Sequence, residues 1–281
     1  MSSKPVSPQK NIPFSQFLSR SWLGTMWRFR ELTLAMTHRE ISDRYVGQVL
    51  GPLWAIGHPL LLILIYLTVF AFILNVKTGM GAQGDYVLYM LSGIVPWMTV
   101  QDALLRNVTV VVVHSGLVKQ VAFPLEILPV KTLLATLLNQ LVSTTLLVGY
   151  ILWNYGSLPS IALLWPLLFA IQFVGLLGIG YLLASAGVFL RDLKDVLLVY
   201  CTASLYCMPV FYNLDQIPGW AKAVVLCNPF THLLLCYQDI FFYQQITHTS
   251  SWVGVTVASL GLFGVGLRTF QKTRRLFGNV L

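Results

Sequence analysis

Charge is what this chain has least of. Only 10% of its 281 residues are Asp, Glu, Lys or Arg, whereas 56% are hydrophobic. A soluble domain of this length typically carries about 25% charged residues. The composition therefore excludes an ordinary water-soluble domain and indicates a lipid bilayer as the solvent.

Other absences narrow the function. The dipeptide Gly-Lys never occurs, so the chain has no G-x-x-x-x-G-K-[ST] loop for a nucleoside triphosphate, and any ATP energy must come from another polypeptide. The four cysteines lack metal-ligand spacing. Cys227 and Cys236 could pair on an oxidising side of the membrane, although unpaired apolar cysteines are the default. No repeat of 20 to 50 residues occurs, so a symmetric pathway would require two copies of the chain.

Long apolar runs dominate what is present. A run of 24 residues from Leu53 to Val76 contains no charge, and as a helix it would span about 36 Å, enough to cross a hydrocarbon core of about 30 Å. The runs do not alternate polar and apolar residues, which favours helices over a barrel. We predict an all-α polytopic membrane protein in one domain, 1–281, with spans at roughly 53–76, 86–113, 129–153, 161–189, 196–213 and 252–269.

The basic residues predict the orientation. Most of the 18 Lys and Arg residues precede the first span, follow the sixth, or lie after the second and fourth. By the positive-inside rule both termini are cytoplasmic. The net charge of +8 then reflects topology and contact with anionic lipids, and nucleic acid is not expected as a partner. Residues 1 to 20 lack an apolar core, so no cleavable signal peptide is expected.

Two segments outside the spans have unusual patterns. Apolar residues recur every three or four positions across 14–38, which predicts an amphipathic helix in the cytoplasmic interface or a helix that binds a partner. Residues 213–250 contain two apolar stretches, about 217–227 and 230–243, that are too short to cross a bilayer. We interpret these as re-entrant or interfacial half-helices on the outer side.

Candidate catalytic motifs are weak. His38 and Asp43 have the spacing of glycerolipid acyltransferases, and Asp192 and Asp195 have that of magnesium-diphosphate sites. Lys194 lies between the two aspartates and no second acidic cluster accompanies them, so a metal site is not expected. These motifs leave a membrane-embedded enzyme acting on a lipid-linked substrate as an alternative function.

Asp102 and Arg106 stand four residues apart in the second span, near its predicted cytoplasmic edge. An ion pair at this spacing lowers the cost of both charges in the membrane. The pair is either structural or admits an anionic lipid headgroup.

The stretch "RYVGQVLGPLWAIGHP", residues 44–59, resembles the motif that opens the first span of polysaccharide ABC exporter permeases of type 2. "VAFPLEILP", "RDLKD", "MPVFYNLDQIPGW" and "NPF" agree with the same family in the same order, although Gln48 stands where a small hydroxyl residue is usual. The motif residues at the first span are Arg44, Tyr45, Leu50, Gly51, Trp54 and Pro59.

The resemblance implies that 115–127 forms a coupling helix that fits a groove on a separate cytoplasmic ATPase. Apolar anchors would come from Leu117, Val118, Val121 and Phe123, whereas Lys119 and Glu126 would face solvent or the rim of the partner. Pro124 would end this helix and Pro129 would start the next span. Arg191 and Asp192 would also contribute to the coupling surface.

The resemblance also implies a homodimer with two copies of the ATPase in a bacterial inner membrane, with ATP and Mg²⁺ bound by the ATPase and no cofactor in this chain. The cargo would be a lipid-linked polysaccharide such as O-antigen, with capsule, teichoic acid or a small hydrophobic molecule as alternatives. Aromatic residues that could stack on sugars are Tyr66, Phe70, Tyr200, Tyr206, Phe211 and Tyr212. Pro218, Asn228 and Pro229 would belong to an outer gate.

Overall fold

The computed structural model describes residues 22–44, 46–66, 68–69, 73, 85–119 and 123–280. This part of the chain forms twelve α-helices and contains no strand. The helices are α1 (Trp22–Arg28), α2 (Arg30–Asp43), α3 (Trp54–Tyr66), α4 (Tyr86–Asn107), α5 (Val110–Val113), α6 (Ser115–Val118), α7 (Ile127–Tyr155), α8 (Trp165–Phe189), α9 (Leu193–Cys207), α10 (Gly219–Cys227), α11 (Pro229–Gln238) and α12 (Thr249–Val280).

Helix α4 is the centre of the bundle. Its residues are buried on nearly every side, and it packs against α7, α8, α9 and α11. Asp85 caps its first turn by accepting hydrogen bonds from the amides of Val87 and Leu88, at 2.9 and 3.3 Å. The other oxygen of the same carboxylate accepts from the hydroxyls of Tyr150 and Tyr155 near the end of α7. Asp85 thus joins the start of α4 to the end of α7.

Three helices of the described chain are long and apolar enough to cross a membrane: α7, α8 with the 3₁₀ turn that precedes it, and α12. The chain is an all-α polytopic membrane protein, as its composition predicts. Three other expected spans correspond to α3, to α4 with α5, and to α9. Each of these is either too short or not apolar enough to be counted with the three long helices. The count of six spans stays a prediction.

Helices α8 and α12 form the most extensive pair because glycines let their backbones touch. A Cβ atom at Gly178 would collide with the backbone of Leu262, and one at Gly266 would collide with the carbonyl of Gly178. Gly187 likewise lies against the carbonyl of Val108, beyond the end of α4. Small residues are what allow such close approach of helices in a membrane, where burial of apolar area gives little driving force.

Helices α3 and α9 expose much of their apolar surface. In α9 only Cys201, Ser204 and Leu205 are buried, and Val196 and Val199 are more than 60% exposed. Helix α3 exposes most of its leucines and isoleucines. Both helices therefore present apolar faces that a bilayer or another protein surface must cover.

The amphipathic segment differs from its predicted bounds. In the described part, α1 ends at Arg28 and α2 begins at Arg30 and runs to Asp43, so one continuous helix ending at residue 38 is wrong; residues 14–21 lie outside the described residues. Trp22 donates a hydrogen bond from Nε1 to the hydroxyl of Tyr181 at 2.8 Å and packs edge-on against Phe263. Trp22, Met26 and Met36 therefore pack on the bundle, whereas Leu23 and Trp27 stay exposed.

The two ends of the bundle differ in their chemistry. The charged end is where α4 ends and α7 begins, and it includes Asp102, Arg106, Glu126 and Lys131. The tyrosine end is where α4 begins and α7 ends, and it includes Tyr86, Tyr89, Tyr150 and Asp239.

Candidate transport and coupling site

A polar cavity of about 550 Å³ opens between α3, α4 and α7 near the charged end. Three helices supply a basic, amide or hydroxyl side chain to its wall. Its lining residues are Arg44, Gln48, Trp54, His58, Pro59, Met98, Thr99, Asp102, Arg106, Thr136, Asn139 and Ser143. Such a concentration of polar groups is costly inside a membrane and indicates a functional site.

Asp102 organises the charged wall of this cavity. Its carboxylate accepts from Arg106 Nε at 2.5 Å, from Arg44 Nη1 at 3.3 Å and from the Thr136 hydroxyl at 3.0 Å. Arg44 is only 6% exposed and also donates from Nη2 to the oxygen of Thr136. The Asp102–Arg106 ion pair that the spacing predicted is therefore part of a larger network that joins the end of α2 to α4 and α7.

The first-span motif converges on the same cavity. Arg44, Trp54 and Pro59 line it, and Gly51 adopts φ +49° in the turn between α2 and α3, a conformation that favours glycine. Gln48 donates to the carbonyl of Arg44 at 3.3 Å. Leu50 is half exposed, and Tyr45 lies outside the described residues.

A second ion pair lies beside the cavity. Lys131, 3% exposed on α7, contacts Glu40 of α2 at 2.5 Å, and Lys131 Nζ lies 3.1 Å from Nε2 of His114. Burial opposes ionisation of Glu40, but the hydrogen bond and charge of Lys131 outweigh it and lower the pKa of the carboxyl. Burial, aided by the charge of Lys131, lowers the pKa of His114. The network favours an ionised Glu40 and a neutral imidazole.

The coupling segment is shorter than expected as a helix. Helix α6 ends at Val118, so Pro124 does not terminate it, and 120–122, including Val121, lie outside the described residues. Leu117, Val118 and Phe123 pack partly against the bundle, and Lys119 is exposed. We name the groove between this segment and α2 the coupling groove; it encloses about 610 Å³ and is lined by Leu32, Met36, Arg39, Glu40, Asp43, Val113, His114, Gly116, Leu117, Phe123 and Lys131.

Glu126 corrects another expectation. It does not face solvent or a rim: it is 5% exposed and forms an ion pair with Arg274 of α12. The backbone carbonyl of Glu126 also accepts from Tyr181 at 3.0 Å. The hydroxyl of Tyr181 accepts from Trp22, so α1, α8, α12 and the coupling segment are joined here. Arg191 and Asp192 are exposed just before α9.

Some of the aromatic residues that we expected along the transport path form a cluster. Tyr66 of α3 and Tyr206 of α9 both contact Phe211, with ring centroids 5.6 and 6.1 Å from it. Tyr206 is 58% exposed, whereas Phe211 is buried beneath the two tyrosines and Tyr212 is half-buried. Phe70 lies outside the described residues.

Tyr200 instead contacts the turn between α10 and α11. Its hydroxyl donates to Asn228 Oδ1 at 3.2 Å, and the same oxygen accepts from the amide of Phe230. Asn228 also donates to Ser204, and Pro229 occupies the first position of α11, where a missing N–H costs nothing. Tyr200 lies midway along α9, so the turn reaches the middle depth of the bundle. Pro218 immediately precedes α10 and is exposed.

The tyrosine end anchors the segment after α9 through neutral groups. Tyr89 donates to the carbonyls of Pro209 and Tyr212 at 3.0 and 2.8 Å, and Tyr86 donates to that of Phe211. Gln238 also donates to Pro209 at 2.8 Å. These bonds satisfy carbonyls that would otherwise be unpaired in the membrane, which explains why the non-helical "MPVFY" stretch is tolerated there.

The candidate catalytic pairs are not assembled into a site. Asp43 forms an exposed ion pair with Arg39, and no group of three metal-ligating His, Cys, Asp or Glu side chains occurs among the described residues. Cys227 and Cys236 are free, the first exposed and the second buried. This agrees with the expectation that the cysteines are unpaired.

The apolar helices and the polar cavity near one end belong to a membrane protein, and comparison with known families identifies its class. Residues 31–242 match the family described as ABC-2 type transporter. The chain belongs to this family, which confirms the membership that the sequence motifs predicted.

Individual relatives resemble the chain over most of its length. It is 24% identical over 254 residues to an O-antigen export system permease protein RfbA of Klebsiella pneumoniae, covering 89% of this chain and 95% of the relative. It is 26% identical over 255 residues to the protein of the same name in Myxococcus xanthus, covering 90% and 96%. It is 25% identical over 244 residues to the polysialic acid transport protein KpsM of Escherichia coli, covering 84% and 91%.

Sequence reasoning did not find Glu40, His114, Lys131, Asn139 and Arg274 as network or cavity residues. Glu40 stands four positions before Arg44, a spacing that places both on one helix face and could have indicated a shared partner. Glu126 and Arg274 are 148 positions apart, and no local pattern connects them.

Proposed function

We propose that this protein is the permease subunit of an ATP-driven exporter that moves a lipid-linked polysaccharide across the bacterial inner membrane. Family membership supports a transport subunit, and the names of relatives that match over most of their length support a polysaccharide cargo. O-antigen is the first candidate, and a capsular polymer related to polysialic acid is the second. The charged end faces the cytoplasm, together with both termini.

The coupling groove is the observation that carries the proposal. Its wall contains the ion pair between Lys131 and Glu40 of α2, and three residues after Phe123 of the groove Glu126 binds Arg274 of α12. Displacement of α6 by a partner would therefore be transmitted to α2, α7 and α12 together. We infer that a cytoplasmic ABC ATPase, which binds ATP and Mg²⁺, docks in this groove.

Two copies of the chain complete the pathway in this proposal. Helices α3 and α9 expose apolar faces, and Tyr206 and Tyr66 lie along them. A second protomer and membrane lipids would cover those faces, with one ATPase beneath each protomer. The tyrosines would offer aromatic surfaces to passing sugars.

The test is co-purification from native membranes followed by ATP hydrolysis. Leu117→Asp places a charge in the groove, and we expect the ATPase to be lost, with surface polysaccharide lost as well. Leu158→Asp is the matched control because it makes the same exchange in the loop at the other end of α7, where binding should be unchanged.

Retention of a stoichiometric ATPase by Leu117→Asp would contradict docking in the groove. Intact surface polysaccharide after deletion of the gene would contradict the cargo. Reaction of the purified chain on a lipid substrate without any ATPase would instead favour a membrane enzyme.

A further inference from the structure

The polar cavity between α3, α4 and α7 has more positive than negative charge. Arg44, Arg106 and Lys131 are the cations in and beside it, and Asp102 and Glu40 are the carboxylates. Among these five side chains the balance is one positive charge in excess. In a low-dielectric setting an excess cation attracts an anion more strongly than it would in water.

Arg106 is the cation that remains available. Its Nε binds Asp102, but neither of its terminal nitrogens has a hydrogen-bond partner among the described residues. Its side chain is 40% exposed, whereas Arg44 is 6% exposed and is used by Asp102 and Thr136. A guanidinium with free terminal N–H groups matches the geometry of phosphate oxygens.

Neutral polar groups continue the cavity inward from Arg106. Asn139 and Ser143 lie one and two turns beyond Thr136 on α7, and His58 lies on α3 opposite them. A residue rise of 1.5 Å places Ser143 about 10 Å deeper than Thr136 along the helix. The cavity therefore offers one cation at its mouth and several hydrogen-bonding side chains within, in a volume that admits a diphosphate.

We propose that this cavity binds the phosphate or diphosphate ester headgroup of a long-chain lipid. Arg106 contacts the anion, Asn139 and His58 donate hydrogen bonds to its oxygens, and Asp102 positions Arg106. This inference rests on the proposed function, because it identifies where the lipid end of the cargo is recognised.

The test is equilibrium binding of radiolabelled geranylgeranyl diphosphate to the full-length permease in phosphatidylcholine nanodiscs. Arg106→Gln is expected to weaken binding at least tenfold, and Arg106→Lys to recover part of the loss. Lys222→Gln is the matched control, since it removes a basic residue that is exposed and pairs with Asp215 far from the cavity. It should bind as the wild type does.

Two competitors separate the parts of the probe. Inorganic diphosphate should compete weakly and geranylgeraniol should not compete. Equal competition by geranylgeraniol, or an unchanged affinity in Arg106→Gln, would overturn the proposal. Inorganic diphosphate binding as tightly as the lipid would overturn the lipid source.

A second variant keeps the proposal testable if Arg106→Gln does not fold. Asn139→Leu leaves the ion pairs intact and should also weaken binding of the diphosphate, and normal affinity in that variant would overturn the proposal. ATPase co-purification is measured on the same samples. Retained ATPase with unchanged lipid affinity would reject the headgroup site while leaving the proposed export function standing.

Discussion

The two ends of the bundle join segments that are distant in sequence, but they do so with different chemistry. At the charged end, elements far apart in sequence are joined by ion pairs, Glu40 with Lys131 and Glu126 with Arg274. At the tyrosine end, hydroxyl and amide groups of Tyr86, Tyr89 and Gln238 donate to backbone carbonyls. Ion pairs respond to a charged partner and to pH, whereas neutral bonds to the backbone do not.

Two carboxylates at the tyrosine end, Asp239 and Asp85, use both of their oxygens. Asp239 is completely buried and accepts from the amide and the Nδ1 of His248, at 3.0 and 2.8 Å, and from Trp252 Nε1. Asp85 similarly uses both oxygens. The difference teaches that the charged end retains a cation for binding, Arg106, while the tyrosine end is built to stay fixed.

The largest effect should come from breaking one ion pair at the charged end. Lys131→Met leaves the partly buried Glu40 without its closest cation, and we expect a loss of about 3 kcal/mol in the free energy of unfolding. Thermal unfolding in detergent measures it. Removing both charges, in Glu40→Gln with Lys131→Met, should restore most of the stability, and Lys222→Met should cost less than about 0.5 kcal/mol because its pair is exposed.

A Lys131→Met protein as stable as the wild type would remove the distinction between the two ends.

A smaller effect is expected from the tyrosine end. Tyr89→Phe removes the hydroxyl shared by the carbonyls of Pro209 and Tyr212, of which, among the described residues, only that of Pro209 keeps another donor, Gln238, and the loss should cost about 1–2 kcal/mol. Calorimetry or thermal unfolding gives the value. Tyr155→Phe is the control, because Tyr155 is nearly half exposed and Asp85 keeps Tyr150; a cost as large as that of Tyr89→Phe would contradict the assignment of the anchor.

The smallest effect concerns pH. The pKa of His114 lies below its ordinary value of 6.5 in the folded protein, so below pH 6.5 the unfolded chain takes up the proton more readily. Stability should therefore fall as pH decreases from 6.5 toward the folded pKa. His114→Gln should lose less stability than the wild type between pH 7.5 and 5.5, as measured by thermal unfolding. An identical pH profile in the two proteins would show that His114 does not sense pH.

Local patterns predicted the parts of the structure that local physics determines. Apolar runs predicted the helices, the spacing of Asp102 and Arg106 predicted their ion pair, and Asn228 with Pro229 predicted the turn between α10 and α11. The burial of Glu126 was missed because its partner Arg274 is distant in sequence. The burial of Phe211 was missed for a similar reason, since it depends on how α3 and α9 flank the segment.

The glycine contacts between α8 and α12 have a mechanical consequence. Where backbones touch at Gly178 and Gly266, the two helices cannot slide past each other without collision. We therefore expect α8 and α12 to behave as one rigid pair. The ion pair between Arg274 and Glu126 connects this rigid pair to the coupling segment. We infer that α3 and α9, which expose apolar faces, move relative to this pair. We expect a cross-link between α8 and α12 to leave a transport cycle intact, and one that immobilises α9 to stop it.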